Sequence, residues 1–200
     1  MELIGSPASP FVRKVRIVLA LYNLPYRWTV DAPSQPGSRV AEFNPLGKIP
    51  VLLTAAGDPL YDSSVIVDYL DAIAPHPALI PAQPLQRIAV KRWEALADGL
   101  LDSAVRIRGE RARDPGEQNT ADIAKQTGKI ERALAAASAQ LGGRTWCHGA
   151  THSLADIAIG VGLFYLDFRL PEIPWQERHP NLLRLQRTLG EWPAFAQTRP

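Results

Sequence analysis

Two short segments place polar residues where a chain can bind a charged ligand. Ser9-Pro10 reads as the opening of a helix, since Ser is a favoured N-cap and Pro suits the first helical position. A helix start carries about half a positive charge and several free N–H groups. An anion placed there is stabilised, and a serine hydroxyl can donate one further hydrogen bond to it. On residue type alone Ser9 is equally an ordinary cap, and Ser6, in the loop just upstream, is a second hydroxyl. Asp62-Ser63 opens another helix. Its N–H groups and the Ser63 hydroxyl suit a carboxylate, and Asp62 suits an ammonium. The same pair also reads as a cap with an acid complementing the helix dipole.

Other polar groups have structural readings. Ser153 and Asp156 have capping-box spacing. Arg106, Arg108, Arg111 and Arg113, with Glu110 among them, read as a solvated helix end. Cys147 beside His148 has the form of an activated thiol, but a buried structural cysteine is the commoner case. His76, His148, His152 and His179 have no metal-ligand spacing.

The elements that must position these residues follow from patterning. Leu3-Ile4 is a short apolar strand ended by Gly5. The helix from Ser9 puts Val15, Val18, Leu19 and Tyr22 on one face, with Arg13 and Lys14 mostly off it, and Pro25 stops it. Tyr26 to Val30 alternates as a strand, and residues 31–38 are loop. Val51-Leu52-Leu53 and Pro59-Leu60-Tyr61 flank Gly57-Asp58 as a hairpin. The helix from Asp62 is expected to bury Val65, Ile66, Tyr69, Leu70 and Ile73. The order β-α-β, then β-β-α, is an α/β unit with helices on one face.

Pro75, Pro77, Pro81 and Pro84 mark a linker, so the expected domains are residues 1–75 and 85–200, joined by residues 76–84. The second half reads as all-helical. Its helices are marked by Ile88, Trp93, Leu96, Leu100 and Val105; by Ile123, Ile130, Leu134 and Leu141; by the apolar run Leu154 to Phe168; and by Leu182, Leu183, Leu185 and Leu189.

Composition bounds the function. A chain of 200 residues with 46% hydrophobic and 21% charged residues can bury a real core. Its 22 basic and 20 acidic side chains leave a formal net charge of +2, too little for a nucleic-acid footprint. Residues 1–80 carry 6 basic and 7 acidic side chains against 16 and 13 beyond, so any weak attraction for anions lies in the helical half. The single cysteine excludes an intrachain disulfide, a CxxC redox pair and a multi-cysteine zinc site. The acid at Glu2 is unlike the basic start of a signal peptide, and the apolar run Val15 to Leu24 is broken and far shorter than the roughly 20 residues of a membrane span. A soluble cytoplasmic protein is the expectation.

Four segments carry a family resemblance: Ser9-Pro10-Phe11-Val12-Arg13-Lys14-Val15-Arg16, Asn44-Pro45-Leu46-Gly47-Lys48-Ile49-Pro50-Val51-Leu52, Asp62-Ser63, and Ser153-Leu154-Ala155-Asp156. In this order and spacing they resemble the cytosolic glutathione transferase family over essentially the whole chain. They look most like a bacterial member with serine at the start of the first helix. The resemblance implies a thioredoxin-like α/β N-terminal domain that binds glutathione. It implies an all-α C-terminal domain that contributes the electrophile pocket and part of a homodimer interface. Glutathione is then a co-substrate, the other partner is a small electrophile, and no metal, nucleic acid or membrane is involved.

The resemblance also implies residue roles. Ser9 is the catalytic position, holding the glutathione thiolate. An unperturbed thiol has a pKa of about 8.5, and each unit of lowering is about 1.4 kcal/mol of thiolate stabilisation. Pro50 resembles the family's cis proline, whose turn presents the N–H and C=O of Ile49 to the cysteinyl part of the ligand as an added strand. By its residue type alone it is equally a trans proline at a strand start. Asp62 and Ser63 match the acidic-Ser pair that holds the γ-glutamyl end. Phe11 and Lys48, within the matching segments, complete the substrate-binding set. The Ser153–Asp156 box stabilises a buried helix. The arginine cluster borders the second-substrate cleft in the family and would favour anionic substrates there; Trp93 and Tyr165 read as core, and Tyr165 or Phe168 would also line an apolar pocket.

Two departures matter. No cation of the usual kind follows strand 2, so Arg39 and Lys48 both remain candidates for the glycine carboxylate. The isomerase branch has Ser-Ser-Cys at the first helix where this chain has Ser-Pro-Phe, so isomerase activity is not expected. Serine in place of cysteine also disfavours thiol transfer. The expected function is conjugation of glutathione to a small electrophile for detoxification, or reduction of a peroxide. The alternatives are a non-catalytic binding or scaffold protein of the same fold and a glutathione-dependent dehalogenase.

Overall fold

The structure is a computed structural model that describes residues 1–74 and 78–200. Pro75, His76 and Pro77 of the expected linker lie outside the described residues. The chain forms two compact units: residues 1–80 with 190–200, and residues 81–189.

The first unit follows the order β1 (Glu2–Gly5), α1 (Pro10–Leu21), β2 (Arg27–Val30), α2 (Val40–Phe43), β3 (Val51–Leu53), β4 (Pro59–Leu60) and α3 (Ser63–Ile73). The strands lie in the order β2-β1-β3-β4. β1 runs parallel to β2 and antiparallel to β3, and β3 runs antiparallel to β4. Ile4 and Val51, paired across β1 and β3, pack with Val40 of α2. Their neighbours Leu3 and Leu52 are buried too and point to the opposite face by strand alternation, so the sheet is covered on both sides. On the sequence reading only one face was covered; the short α2, which no periodicity marks, supplies the second layer.

Helix α1 ends at Tyr22, and Asn23, at φ 52°, turns the chain away ahead of Pro25. The Tyr22 hydroxyl donates to the Asp71 carboxylate and accepts from the Leu79 N–H at 2.7 Å, fastening the end of this unit to α1 and α3. Contrary to the single apolar face expected, Arg13 and Lys14 are buried along with Val12 and Ile17. For Arg13 the physical reason lies in residues 190–200. The helix α9 (Pro193–Ala196) packs on α1, where Arg13 donates to the Phe195 carbonyl at 3.2 Å and Arg16 to that of Gln197 at 3.4 Å. These residues, read from sequence as part of the helical domain, belong to the first unit. On α3, Ile66 and Leu70 are buried as expected and Tyr69 is half-buried, but Val65 and Ile73 are exposed and Val67, outside the expected face, is buried instead.

The second unit contains α4 (Pro84–Arg111), a 3-10 turn (Pro115–Glu117), α5 (Thr120–Leu141), α6 (Leu154–Arg169), α7 (Trp175–Arg178) and most of α8 (Pro180–Gly190). Helix α4 packs on both α5 and α6. Trp93 and Leu100 are core residues, whereas Ile88 and Val105, expected to share their face, are exposed. Helix α6 is buried nearly all round, as its apolar run predicts. Ser153 and Asp156 form the reciprocal capping box at its start. Asp156 also accepts from the Cys147 N–H at 2.7 Å, which ties the preceding loop to the helix. Asp167 accepts from Trp175 Nε1 at 2.9 Å and Gln176 Nε2 at 2.6 Å, and from Gln186, fastening α6 to α7 and α8. Among the described residues no helix is long and apolar enough to cross a membrane.

Candidate functional site

The sheet register brings the predicted residues of the first unit to one end. Ile4 pairs with Val51, so the chain leaving β1 toward Ser9 lies beside the chain entering β3 through Ile49 and Pro50. Leu52 pairs with Leu60, so β4 runs out toward Asp62 at the same end. Gly5 pairs with Val30, and the loop to Arg39 leaves there as well.

Ser9 is the N-cap of α1. Its Oγ accepts from the Val12 N–H at a long 3.4 Å, and its own N–H donates to the Ser6 carbonyl at 3.1 Å. Pro10 removes one N–H from the first turn and the cap takes that of Val12, which leaves that of Phe11. The Ser9 proton is not used in the cap, so one hydroxyl can both cap the helix and donate to an anion. The Ile49–Pro50 peptide is cis. Ile49 is half-buried and precedes the ladder, which begins at Val51.

Asp62 caps α3, accepting from the Ser64 N–H at 3.0 Å and from the Ser64 hydroxyl. Burial alone would raise its carboxyl. The hydrogen bonds from Ser64 and Val65 and the Lys14 charge outweigh that and hold it below its ordinary value. Asp62 is thus an exposed, ionised acid next to Ser63, which is buried at the first position of α3. The structure separates the two candidate cations. Arg39 is bound to the Glu42 carboxylate at 2.8 Å and lies over the Phe43 ring. Lys48 is exposed and makes no ion pair among the described residues.

Comparison with known proteins gives this arrangement a family. Residues 8–73 match the model described as the N-terminal domain of glutathione S-transferase, and residues 111–185 match that of its C-terminal domain. The uncharacterized GST-like protein YibF of Escherichia coli K12 is 36% identical over 200 residues, covering 100% of this chain and 98% of the relative. The chain belongs to the glutathione S-transferase family. Among solved structures, a glutathione S-transferase from Methylobacillus flagellatus KT with glutathione bound is 43% identical, with a TM-score of 0.96 over 100% of this chain and 98% of that one. One from Methylobacterium radiotolerans JCM 2831, in complex with glutathione sulfonate, is 41% identical, with a TM-score of 0.95 over 100% and 94%. The thioredoxin-like domain followed by a helical domain is therefore the glutathione S-transferase fold.

Within this transferase fold, one residue of the matching segments has a role that residue type did not suggest. Asn44 is buried; its Nδ2 donates to the Lys48 carbonyl at 2.8 Å and its Oδ1 accepts from the Leu46 N–H at 3.0 Å. Gly47, at φ 61°, closes the same loop by donating to the Asn44 carbonyl at 2.8 Å. The clamp sets the path of Lys48 into Ile49. Asn-Pro before a Gly was the available signal, since it marks a turn held by an Asn side chain.

In the helical unit the arginine cluster is mostly neutralised. Arg106 pairs with Asp122 at 2.6 Å, Arg111 with Glu172, and Arg113 lies 3.7 Å from Glu110 and 3.6 Å from Glu117. Cys147 is buried, and burial first, then the Asp156 carboxylate, pushes its thiol well above the ordinary range, so it is not an activated nucleophile. Among the described residues no group of three or more His, Cys, Asp or Glu is placed to hold a metal ion.

Proposed function

We propose that the protein is a glutathione-conjugating enzyme in which Ser9 activates the thiol. The observation that carries the reading is the meeting of Ser9, the Ile49–Pro50 turn and Asp62 at one end of the sheet, in a family whose similar solved members hold glutathione or its sulfonate. The cysteinyl backbone of glutathione pairs with the N–H and C=O of Ile49 beside Pro50. The γ-glutamyl ammonium meets Asp62, and its carboxylate meets Ser63 and the N–H groups that open α3. Lys48, the uncommitted cation, takes the glycine carboxylate, and Phe11 flanks the thiol. Ser9 donates to the sulfur while the start of α1 supplies partial positive charge, so the thiolate forms near neutral pH. The thiolate forms a bond to the electrophilic carbon of a small molecule as a leaving group departs or an activated double bond takes the electrons; alternatively it attacks the O–O bond of a peroxide, releasing the alcohol and leaving a sulfenic acid that a second glutathione reduces to the disulfide. The protein works in the cytoplasm as a homodimer.

The test is an ultraviolet difference titration with glutathione at neutral pH, on the wild type and on Ser9→Ala. The expected result is a saturable thiolate absorption in the wild type. In Ser9→Ala that absorption and turnover should fall by about tenfold or more while glutathione affinity changes little, because one charge-assisted hydrogen bond to the thiolate is worth roughly 1.5–3 kcal/mol. Glutathione binding without thiolate formation in the wild type would replace this reading with a non-catalytic binding protein. Thiolate unaffected by Ser9→Ala would move the role to Ser6 or to the backbone.

A further inference from the structure

Asn44 is 2% exposed in a loop whose next two residues, Pro45 and Leu46, face solvent. Each of its polar groups is engaged. Its N–H donates to the Val40 carbonyl at 2.8 Å as the cap of α2, and its carbonyl accepts from the Gly47 N–H. Its Oδ1 accepts from the Leu46 N–H, and its Nδ2 donates to the Lys48 carbonyl at 2.8 Å. The first three bonds fold the loop. The fourth reaches to the end of the loop and orients the peptide that leaves it. That peptide joins Lys48 to Ile49 and is trans. In a planar trans peptide the carbonyl and the N–H point in opposite directions. Because the Lys48 carbonyl is aimed at the buried Asn44, the Ile49 N–H is aimed away from it. The Ile49 side chain packs against Ile4, Val40 and Val51, which holds the residue from its other side. The Ile49 N–H has no acceptor among the described residues, and the β3 ladder begins only at Val51. A donor held off every protein acceptor just before a strand is open to an added strand.

We infer that Asn44 is a positioning residue for glutathione: by holding the Lys48 carbonyl it turns the Ile49 N–H out toward the cysteinyl part of the ligand. This role rests on the function proposed above, in which Ile49 pairs with the cysteinyl backbone. Without the Asn44 donor the Lys48 carbonyl gains by turning to water, since a buried carbonyl with no donor is costly. The same rotation of the peptide plane carries the Ile49 N–H away from the ligand. Asn44 itself does not touch glutathione; it acts through one peptide group.

The experiment measures solvent exchange of the Ile49 amide by NMR in the full chain, free and with glutathione at about ten times each protein's own Kd. It compares the wild type with Asn44→Asp and Asn44→Ser. Both substitutions keep an oxygen for the Leu46 N–H and lack the amide donor to Lys48, one with a charge and one without. In the wild type glutathione should slow exchange at Ile49 about tenfold, in proportion to the bound fraction. At the same saturation the variants should show little slowing, and their affinity should fall about three- to tenfold, the worth of one neutral hydrogen bond. Leu46→Ala, at a 69% exposed position of the same loop, should behave as the wild type. Circular dichroism verifies the fold, and either Asn44 variant alone decides the outcome. Slowing at Ile49 in the variants equal to that in the wild type overturns the role of Asn44 and leaves the Ile49 pairing standing. Binding to the wild type without slowing at Ile49 removes the pairing, and the role of Asn44 with it, so the two failures are told apart. Slow exchange at Ile49 in the free wild type would reveal an acceptor within the protein and overturns the proposal without any variant.

Discussion

At Asp62, burial on its own would raise the carboxyl's pKa. Hydrogen bonds from Ser64 and Val65 and the charge of Lys14 reverse the sign. A carboxyl whose folded pKa is depressed contributes its charge at every pH above the unfolded value and loses it only as pH falls through the lower, folded one. The ammonium contact proposed for Asp62 should therefore survive mild acid. Asp62→Asn should weaken glutathione binding by roughly tenfold at neutral pH and remove the acid-dependent part of the affinity. Titrating affinity in both proteins from about pH 7 to about pH 3, across the carboxylate range, checks this. Identical curves for the two proteins would reject Asp62 as the ammonium partner. At the same scale Arg39 and Lys48 look alike as letters in a chain. What separates them is Glu42, three residues after Arg39, which occupies one cation and leaves the other uncommitted.

Among the elements, α1 is held against β1 by a close approach that only one residue type allows. A Cβ at Gly5 would stand 2.5 Å from Cγ2 of Val12. Gly5→Ala should therefore destabilise the protein by about 1–3 kcal/mol, the ordinary result of overfilling a packed contact. Val12→Ala introduced with it should recover part of the loss in a denaturant melt. A single Gly5→Ala change with no loss would mean that α1 sits less tightly than the contact indicates. The same helix marks how far patterning reaches. Periodicity brought out α1, α3, α4, α5, α6 and α8, and the Gly57-Asp58 turn brought out the β3–β4 hairpin, because each is long enough or punctuated enough to have a signature. Helices α2 and α9 are four residues each and present no period. Arg13 and Lys14 were placed off the buried face because hydropathy assigns charges to solvent, and no local pattern reveals that a segment nearly two hundred residues away covers Arg13. The serine, proline and acid of the site were legible as motifs. The Asn44 clamp behind them was not, because its bonds go to backbone atoms whose position depends on the finished turn.

For the whole molecule, the proposed homodimer predicts a sedimenting species of twice the 22.0 kDa chain mass; a species of single-chain mass at micromolar concentration would remove that assignment. The segment from Gly190 onward gives a second prediction at this scale. Phe195 is only 1% exposed and receives a hydrogen bond from Arg13 at its carbonyl. Deleting residues 191–200 takes that side chain out of the first unit and removes the Phe195 carbonyl from the Arg13 guanidinium. The expected loss is about 3–5 kcal/mol, the usual cost of emptying a phenylalanine site. Hydrogen exchange should show the loss in α1 and the β-sheet rather than in α5 and α6. Equal loss of protection in both units would refute a role confined to the first.

That segment also sets an order of events during synthesis. A ribosome that has released residue 80 has made every strand of the first unit but not the residue that seals the back of its first helix. The helical unit, with all its residues between 81 and 189, can close as soon as its own stretch is made. The first domain to be translated is thus the last to be completed. The Ser9 end of α1 acquires its final backing only when the chain comes back to it.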